Sequence, residues 1–361
     1  MSNSFGKIFK LTTYGESHGV GIGGIIDGCP AGVEIDLAAI QSELDRRKPG
    51  QSVISTPRKE SDLVEFYSGI FEGKTTGTPI GFFIKNKDQR SKDYSELKKS
   101  YRPSHADFTY ESKYGFRDFR GGGRSSARET ACRVVAGAIA KQVLRLKGIE
   151  IAGFTKKIGK IELSGSVSLS EIKQLCENPV RCPNTEVASK METEILDAKA
   201  NGDSLGGVIH CEIHGVKPGL GEPVFEKFNA QLAHAMFGIN AVKGFEIGSG
   251  FEGCSERGSL QNDPFKIENG SIVTTTNNSG GIQGGISNGA AITFNVAFKP
   301  VATVSKSQST VSIAGEDVMI KATGRHDPCV VPRAIPIVES MAALVTLDLL
   351  LRSKTNRIDH L

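Results

Sequence analysis

The chain has 361 residues, 38% of them hydrophobic, and can bury one large core or two ordinary ones. A formal charge of +4 is too small for a general nucleic-acid surface, but arginines crowd the stretch from Arg46 to Arg133, which points to a local anionic ligand. Seven cysteines without a Cys-x-x-Cys pair exclude a disulfide framework or zinc ribbon. With no signal-peptide core and no apolar run long enough to span a bilayer, the expectation is a cytoplasmic protein with reduced thiols and no membrane or nucleic-acid partner.

In chain order, the apolar Ile8–Leu11 leads into Gly15-Glu16-Ser17-His18-Gly19, where glycines flank an imidazole that can exchange a proton near neutral pH. A β-like run at 23–27 precedes a helix at about 36–47, and another β-like run covers 80–84. Two polar segments, 47–59 and 86–103, read as long binding loops. Arg102-Pro103-Ser104-His105-Ala106-Asp107 then offers a second histidine with a carboxylate close enough to orient it.

The stretch Arg120 to Thr130 joins three glycines, three arginines and a helix start. Ser126 and Glu129 have capping-box spacing, and apolar residues recur helically from Ala131 to Val143, predicting a helix over 126–146. Unpaired N–H groups of its first turn, glycines that admit a ligand to the backbone, and Arg124 and Arg128 suit a phosphorylated anion. Farther along, strands are expected at 207–213 and 291–298 and helices at 224–237 and 334–352, the last apolar around much of its circumference and therefore buried. Before it, Arg325-His326-Asp327-Pro328-Cys329 supplies an arginine and a carboxylate, with Arg333 just beyond.

Three other chemistries fit less well. Gly15 to Gly19 and Gly202 to Gly206 both spell Gly-x-Ser-x-Gly, but each runs into β-like sequence where a nucleophile elbow needs a helix. His210 and His214 stand four apart in a strand, which separates them by about 13 Å, so no metal site is expected. Tyr101, Phe108, Tyr110, Tyr114, Phe116 and Phe119 interleave with the basic stretch as in an RNA-binding surface, and equally as pocket walls. No linker divides the chain, so one α+β domain over 1–361 is expected. Strand-rich halves at about 1–150 and 200–361 hint at an internal duplication.

Seven segments in order resemble the chorismate synthase family: Thr13 to Gly19, Asp45 to Gln51, Phe71 to Thr78, Arg102 to Asp107, Gly121 to Thr130, Ile239 to Gly248 and Gly324 to Cys329. The resemblance implies a 1,4-elimination of phosphate from 5-enolpyruvylshikimate 3-phosphate to give chorismate, dependent on reduced FMN. It implies a β-α-β sandwich of two sheets around a helical layer, assembled as a homotetramer. A compact chain of this kind implies an external flavin reductase, with NADPH as an indirect reductant.

By the same resemblance Arg46, Arg47, Arg102, Ser126, Arg128 and Arg325 contact substrate, and His18 protonates the departing phosphate. His105 sits by the reduced flavin and Asp327 near its N5. Arg124, Ser125, Ser126, Asn240, Ala241, Gly284, Lys299, Pro300, Val301, Ala302, Thr303 and Arg325 match flavin-binding positions. The chain departs from the family's pattern at Val53, where some relatives carry arginine, and at Val301 and Ala302, where hydroxyl residues are expected.

Overall fold

A computed structural model describes residues 2–56, 60–87, 99–119, 121–174, 178–321 and 327–360. The first sheet collects β1 (Ser4–Phe5), β2 (Lys10–Gly15), β3 (Gly21–Asp27), β4 (Val64–Phe66) and β7 (Ile80–Lys85) in the order β1-β2-β3-β7-β4, with the hairpin β5 (Ile70–Phe71) and β6 (Lys74–Thr75) beside it. The second collects β8 (Glu150–Ile158), β9 (Ile161–Glu162), β10 (Gly207–His214), β11 (Val242–Ile247) and β16 (Ile292–Phe298) in the order β11-β16-β10-β8-β9. Hairpins β12 (Phe265–Glu268) with β13 (Ser271–Thr274), β14 (Ile282–Gln283) with β15 (Ile286–Ser287), and β17 (Ser307–Val311) with β18 (Asp317–Lys321) complete the strands. All these pairings are antiparallel, so the chain is α+β rather than α/β.

The helices are α1 (Leu37–Arg47), α2 (Asp107–Tyr114), α3 (Thr130–Arg145), α4 (Leu169–Gln174), α5 (Thr185–Ala200), α6 (Phe228–Phe237), α7 (Gly258–Gln261) and α8 (Val331–Arg352). Helix α3 packs on α1 and α8 and reaches β2 and β3 of one sheet and β8 of the other, while α8 lies on β8 and β10. The crossing of α3 and α8 is close because Gly137 has no side chain: a Cβ there would fall 2.2 Å from that of Ser340. Buried side chains from both sheets and these helices form one contiguous core.

Helix α8 contains Pro336, which has no N–H to offer the carbonyl four residues back. Arg181 supplies the missing donor, its Nη1 lying 2.8 Å from the Pro332 carbonyl oxygen. The helix is apolar enough by composition to pass for a membrane span, yet 89% of that stretch is buried inside the protein. Asp348 is also buried, and its Oδ1 accepts from the backbone N–H groups of Lys7, Ile8 and Phe9, tying the N-terminal strands to α8.

Periodicity located α1, α6 and α8 and the strands β3, β7, β10 and β16 to within a few residues. It did not find α5, whose Asn184 cap and buried Ala188, Met191, Ile195 and Ala198 form a narrow stripe in a charged sequence. Nor did it find β8, buried over four consecutive residues and so lacking alternation. Because β8 and β9 join the second sheet, that sheet begins at Glu150 rather than near 200.

Candidate active site

Between β2 and β3 the chain makes a polar turn that carries His18. Asn86, the first residue after β7, holds this turn: its amide nitrogen donates to the carbonyls of Glu16 and Gly19 at 2.9 Å each. The imidazole rests against Gly121, where a Cβ would fall 2.1 Å from Nδ1, and Ser17 Oγ is 3.1 Å from the same nitrogen. Ser17 therefore does bond its neighbour, but β3 follows where a nucleophile elbow requires a helix.

The 121–130 segment departs from its expected form. Helix α3 starts at Thr130, after two single 3-10 turns at Gly123–Ser125 and Ala127–Glu129. Ser126 Oγ accepts from the Arg128 N–H at 3.3 Å, but Glu129 does not complete a capping box. Its carboxylate accepts instead from Thr13 Oγ1 at 2.8 Å and Arg133 Nε at 2.9 Å, partners that the fold brings from β2 and the next helical turn. Arg124 likewise reaches β2, donating to the carbonyls of Gly15 and Thr13 and to Thr13 Oγ1. Ser125 bonds back to the Gly122 carbonyl, and Asn240 Nδ2 donates to the Ser125 carbonyl at 2.7 Å.

Arg47 and Arg128 meet on one carboxylate. In α1 the buried residues are Ile40, Leu44 and Arg47, so Arg47 takes the last place on the stripe that faces the interior. Asp62, fully buried, pairs with Arg128 Nη1 and lies 3.4 Å from Arg47 Nη2. Burial opposes its charge, but the two guanidinium groups hold its carboxyl below the usual carboxylate range. Arg128 Nε also donates to Asn86 Oδ1 at 2.9 Å, joining the pair to the His18 turn. The Arg47 backbone carbonyl accepts from Arg333 Nε, and Arg333 Nη1 pairs with Asp327, whose other oxygen accepts from the Thr56 N–H at 2.9 Å.

Two cavities flank the 121–130 segment. The smaller, about 90 Å³, is lined by Arg47, Ala127, Thr130, Asn240, Ala241, Asp327 and Arg333 among apolar residues. The larger, about 1090 Å³, is lined by Gly121 to Ser125, His105, Lys113, Arg117 and Arg133 together with Tyr110, Tyr114, Phe116 and Phe119. His105 Nδ1 is 3.0 Å from Asp107 Oδ1 and 2.9 Å from Arg102 Nη2, so the ring is fixed through that nitrogen in either tautomer. Burial would raise the Asp107 carboxyl, but hydrogen bonds from Arg102 and His105 hold it well below its ordinary value.

Other expected residues lie elsewhere. Arg46 turns into the helical layer, donating to Glu339 at 2.8 and 3.1 Å and to Glu43 at 2.8 Å, because its neighbour in α1 already occupies the site-facing stripe. Arg102 spends its Nε and Nη2 on Asp107. Gly284 sits in the β14–β15 hairpin by the N-terminal end of α6, whereas Asn240 and Ala241 follow its C-terminal end. In the run from Lys299 to Thr303, Lys299 Nζ donates to the Ser104 carbonyl at 3.1 Å and the Val301 carbonyl accepts from Ser204. Pro300, Ala302 and Thr303 line neither cavity, and Arg325 lies outside the described residues. Among the described residues no cluster of His, Cys, Asp or Glu suits a metal; His210 and His214 instead share Glu212. Sequence reasoning missed Asp62 and Asn86, each polar and buried yet without a local motif, and passed over the pairing of Arg333 with Asp327.

The family model described as chorismate synthase matches residues 9–351. Chorismate synthases of Christiangramia forsetii and Bacteroides fragilis are similar at 62% identity over 356 residues and 58% over 358, covering 99% of this chain in both cases and 99% and 100% of the relatives. A crystal structure of chorismate synthase superposes with a TM-score of 0.79 at 33% identity, covering 97% of this chain and 94% of the other.

Proposed function

The chain belongs to the chorismate synthase family and is a lyase of that type, and from this premise we propose how its site works. The substrate, 5-enolpyruvylshikimate 3-phosphate, lies along the 121–130 segment, with Arg47 and Arg128 clamping its anionic groups. The observation that carries this reading is that two buried guanidinium groups share one carboxylate, while Arg128 Nη2 keeps a donor without a partner among the described residues. His18, half-buried against Gly121, delivers a proton to the departing phosphate, which lowers the cost of the charge developing there. Asp327, fixed by Arg333 and the Thr56 N–H, takes or relays the proton lost from the ring.

The larger cavity is the flavin site in this proposal. What supports it is the aromatic wall, suited to a flat ring system, beside the cations Lys113, Arg117, Arg124 and Arg133. When bound, reduced FMN supplies electrons transiently to the breaking C–O bond. His105, held through Nδ1, orients toward that ligand, and Lys299, whose ammonium is pulled down by burial and then by Lys243, waits at Ser104 for the flavin phosphate. Ser125, Ser126, Asn240, Ala241, Gly284, Val301 and Arg325 remain flavin contacts by resemblance.

Residues 1–361 form one domain in this reading, a β-α-β sandwich, supported by helix α3 reaching strands of both sheets, by α8 packed on α3 and the second sheet, and by one contiguous core. A cytoplasmic homotetramer served by an external flavin reductase completes the proposal. The test is to mix the purified protein anaerobically with chemically reduced FMN and 5-enolpyruvylshikimate 3-phosphate. Chorismate absorbance and phosphate should rise together, and only with reduced flavin; phosphate release with oxidised FMN would sink the reading.

A further inference from the structure

Asp62 is fully buried and adopts φ of +46°, a left-handed conformation uncommon outside glycine that aspartate takes more readily than most residues. Its side chain lies between Arg47 and Arg128, both only 4% exposed, which would repel each other without a carboxylate between them. Arg128 Nη2, also buried, has no hydrogen-bond partner among the described residues, so the group that Asp62 steadies still has a donor to spend.

Asn86, 6% exposed, uses both ends of its amide. Its oxygen must face Arg128 Nε, and its nitrogen must face the carbonyls of Glu16, Ser17 and Gly19, so a flipped amide would set donor against donor and acceptor against acceptor. A hydrogen-bonded path therefore runs from the His18 turn through Asn86 and Arg128 to Asp62, which an ion pair joins to Arg47.

We propose that Asp62 and Asn86 are positioning residues: Asp62 sets the two arginines side by side as one anion clamp, and Asn86 fixes the His18 turn at a set distance from that clamp. The inference rests on the functional reading above. It differs from a merely structural role because it concerns where the proton donor stands relative to the leaving group.

The experiment compares Asp62→Asn and Asn86→Asp, both nearly isosteric, with wild type. Turnover is measured with reduced FMN, substrate affinity with oxidised FMN where no product forms, and flavin affinity alone. Asp62→Asn should raise the substrate KM and dissociation constant by at least about tenfold with flavin affinity changed less than about twofold. Asn86→Asp, which points a carboxylate at three carbonyls, should lower kcat at least about tenfold more than it raises KM, and should shift the acidic or basic limb of the kcat pH profile. Variants that match wild type, or that lose flavin and substrate affinity together, overturn the proposal. Should Asp62→Asn fail to fold, Asn86→Asp and Asn86→Ala decide it by the same criterion, since that position carries no charge. A wild-type protein that makes no chorismate would instead overturn the functional reading itself.

Discussion

Arg46 and Arg47 are consecutive in α1, yet each enters a different buried ion cluster. Arg46 joins Lys141, Glu43 and Glu339, two acids against two bases, and the Gly153 N–H completes the coordination of Glu339. Arg47 joins Arg128 on Asp62. The balanced cluster pins α1, α3 and β8 to α8, and a ligand there would find no charge to neutralise. The second borders the smaller cavity, where Arg47 is within reach of an anionic ligand. Burial of an arginine is thus a poor guide to its role; whether a cavity reaches it is a better one.

The comparison breaks most visibly at Glu339. Glu339→Ala leaves Arg46 and Lys141 to share Glu43 alone and should cost about 3–5 kcal/mol in denaturant unfolding. If stability is unchanged, the balanced cluster is not structural. Next, Gly121→Ala drives a methyl into the His18 imidazole. It should lower kcat about 100-fold while costing much less stability, and equal losses in both would remove His18 from the chemistry. The paired replacements Arg46→Lys and Arg47→Lys sharpen the contrast. Arg47→Lys should raise the substrate KM about tenfold, whereas Arg46→Lys should lower the melting temperature and leave KM alone.

Acid stability gives a smaller effect. Burial alone would raise the Glu339 carboxyl, but Arg46 and Lys141 hold it well below its ordinary 4.5. A folded-state value below the unfolded one means that the unfolded chain binds the proton first. The stabilisation is therefore complete above about pH 4.5 and is lost as pH falls further. Glu339→Gln should flatten stability against pH in that acid range without changing its slope near neutrality. The smallest change is Ser126→Ala, which removes one cap bond and should cost about 1 kcal/mol in unfolding.

Much of this was legible in the sequence. Apolar stripes located α1, α6 and α8, and composition and spacing singled out the glycine-flanked His18, the Arg102–Asp107 cluster and the 121–130 segment as candidates. What escaped were residues whose meaning depends on partners distant in the chain. Glu129 had capping-box spacing but was drawn to Thr13, 116 positions away. Asp62 had no motif at all, because its importance comes from two arginines on separate helical segments. Arg46 and Arg47 were both offered as substrate contacts, and the rotation of α1 sends one into the helical layer and the other to the wall of the smaller cavity.

The sequence by itself determined α1, α6, α8, β3, β7, β10 and β16 and offered a set of candidate groups, since helical and strand periodicity, glycine freedom and side-chain chemistry are local properties that a short window already contains. Tertiary structure alone decided which groups act together. Hydrogen bonds and ion pairs are settled over a few ångströms, and only folding brings Asn86 to the His18 turn, Asp62 between two arginines, and Arg333 onto Asp327.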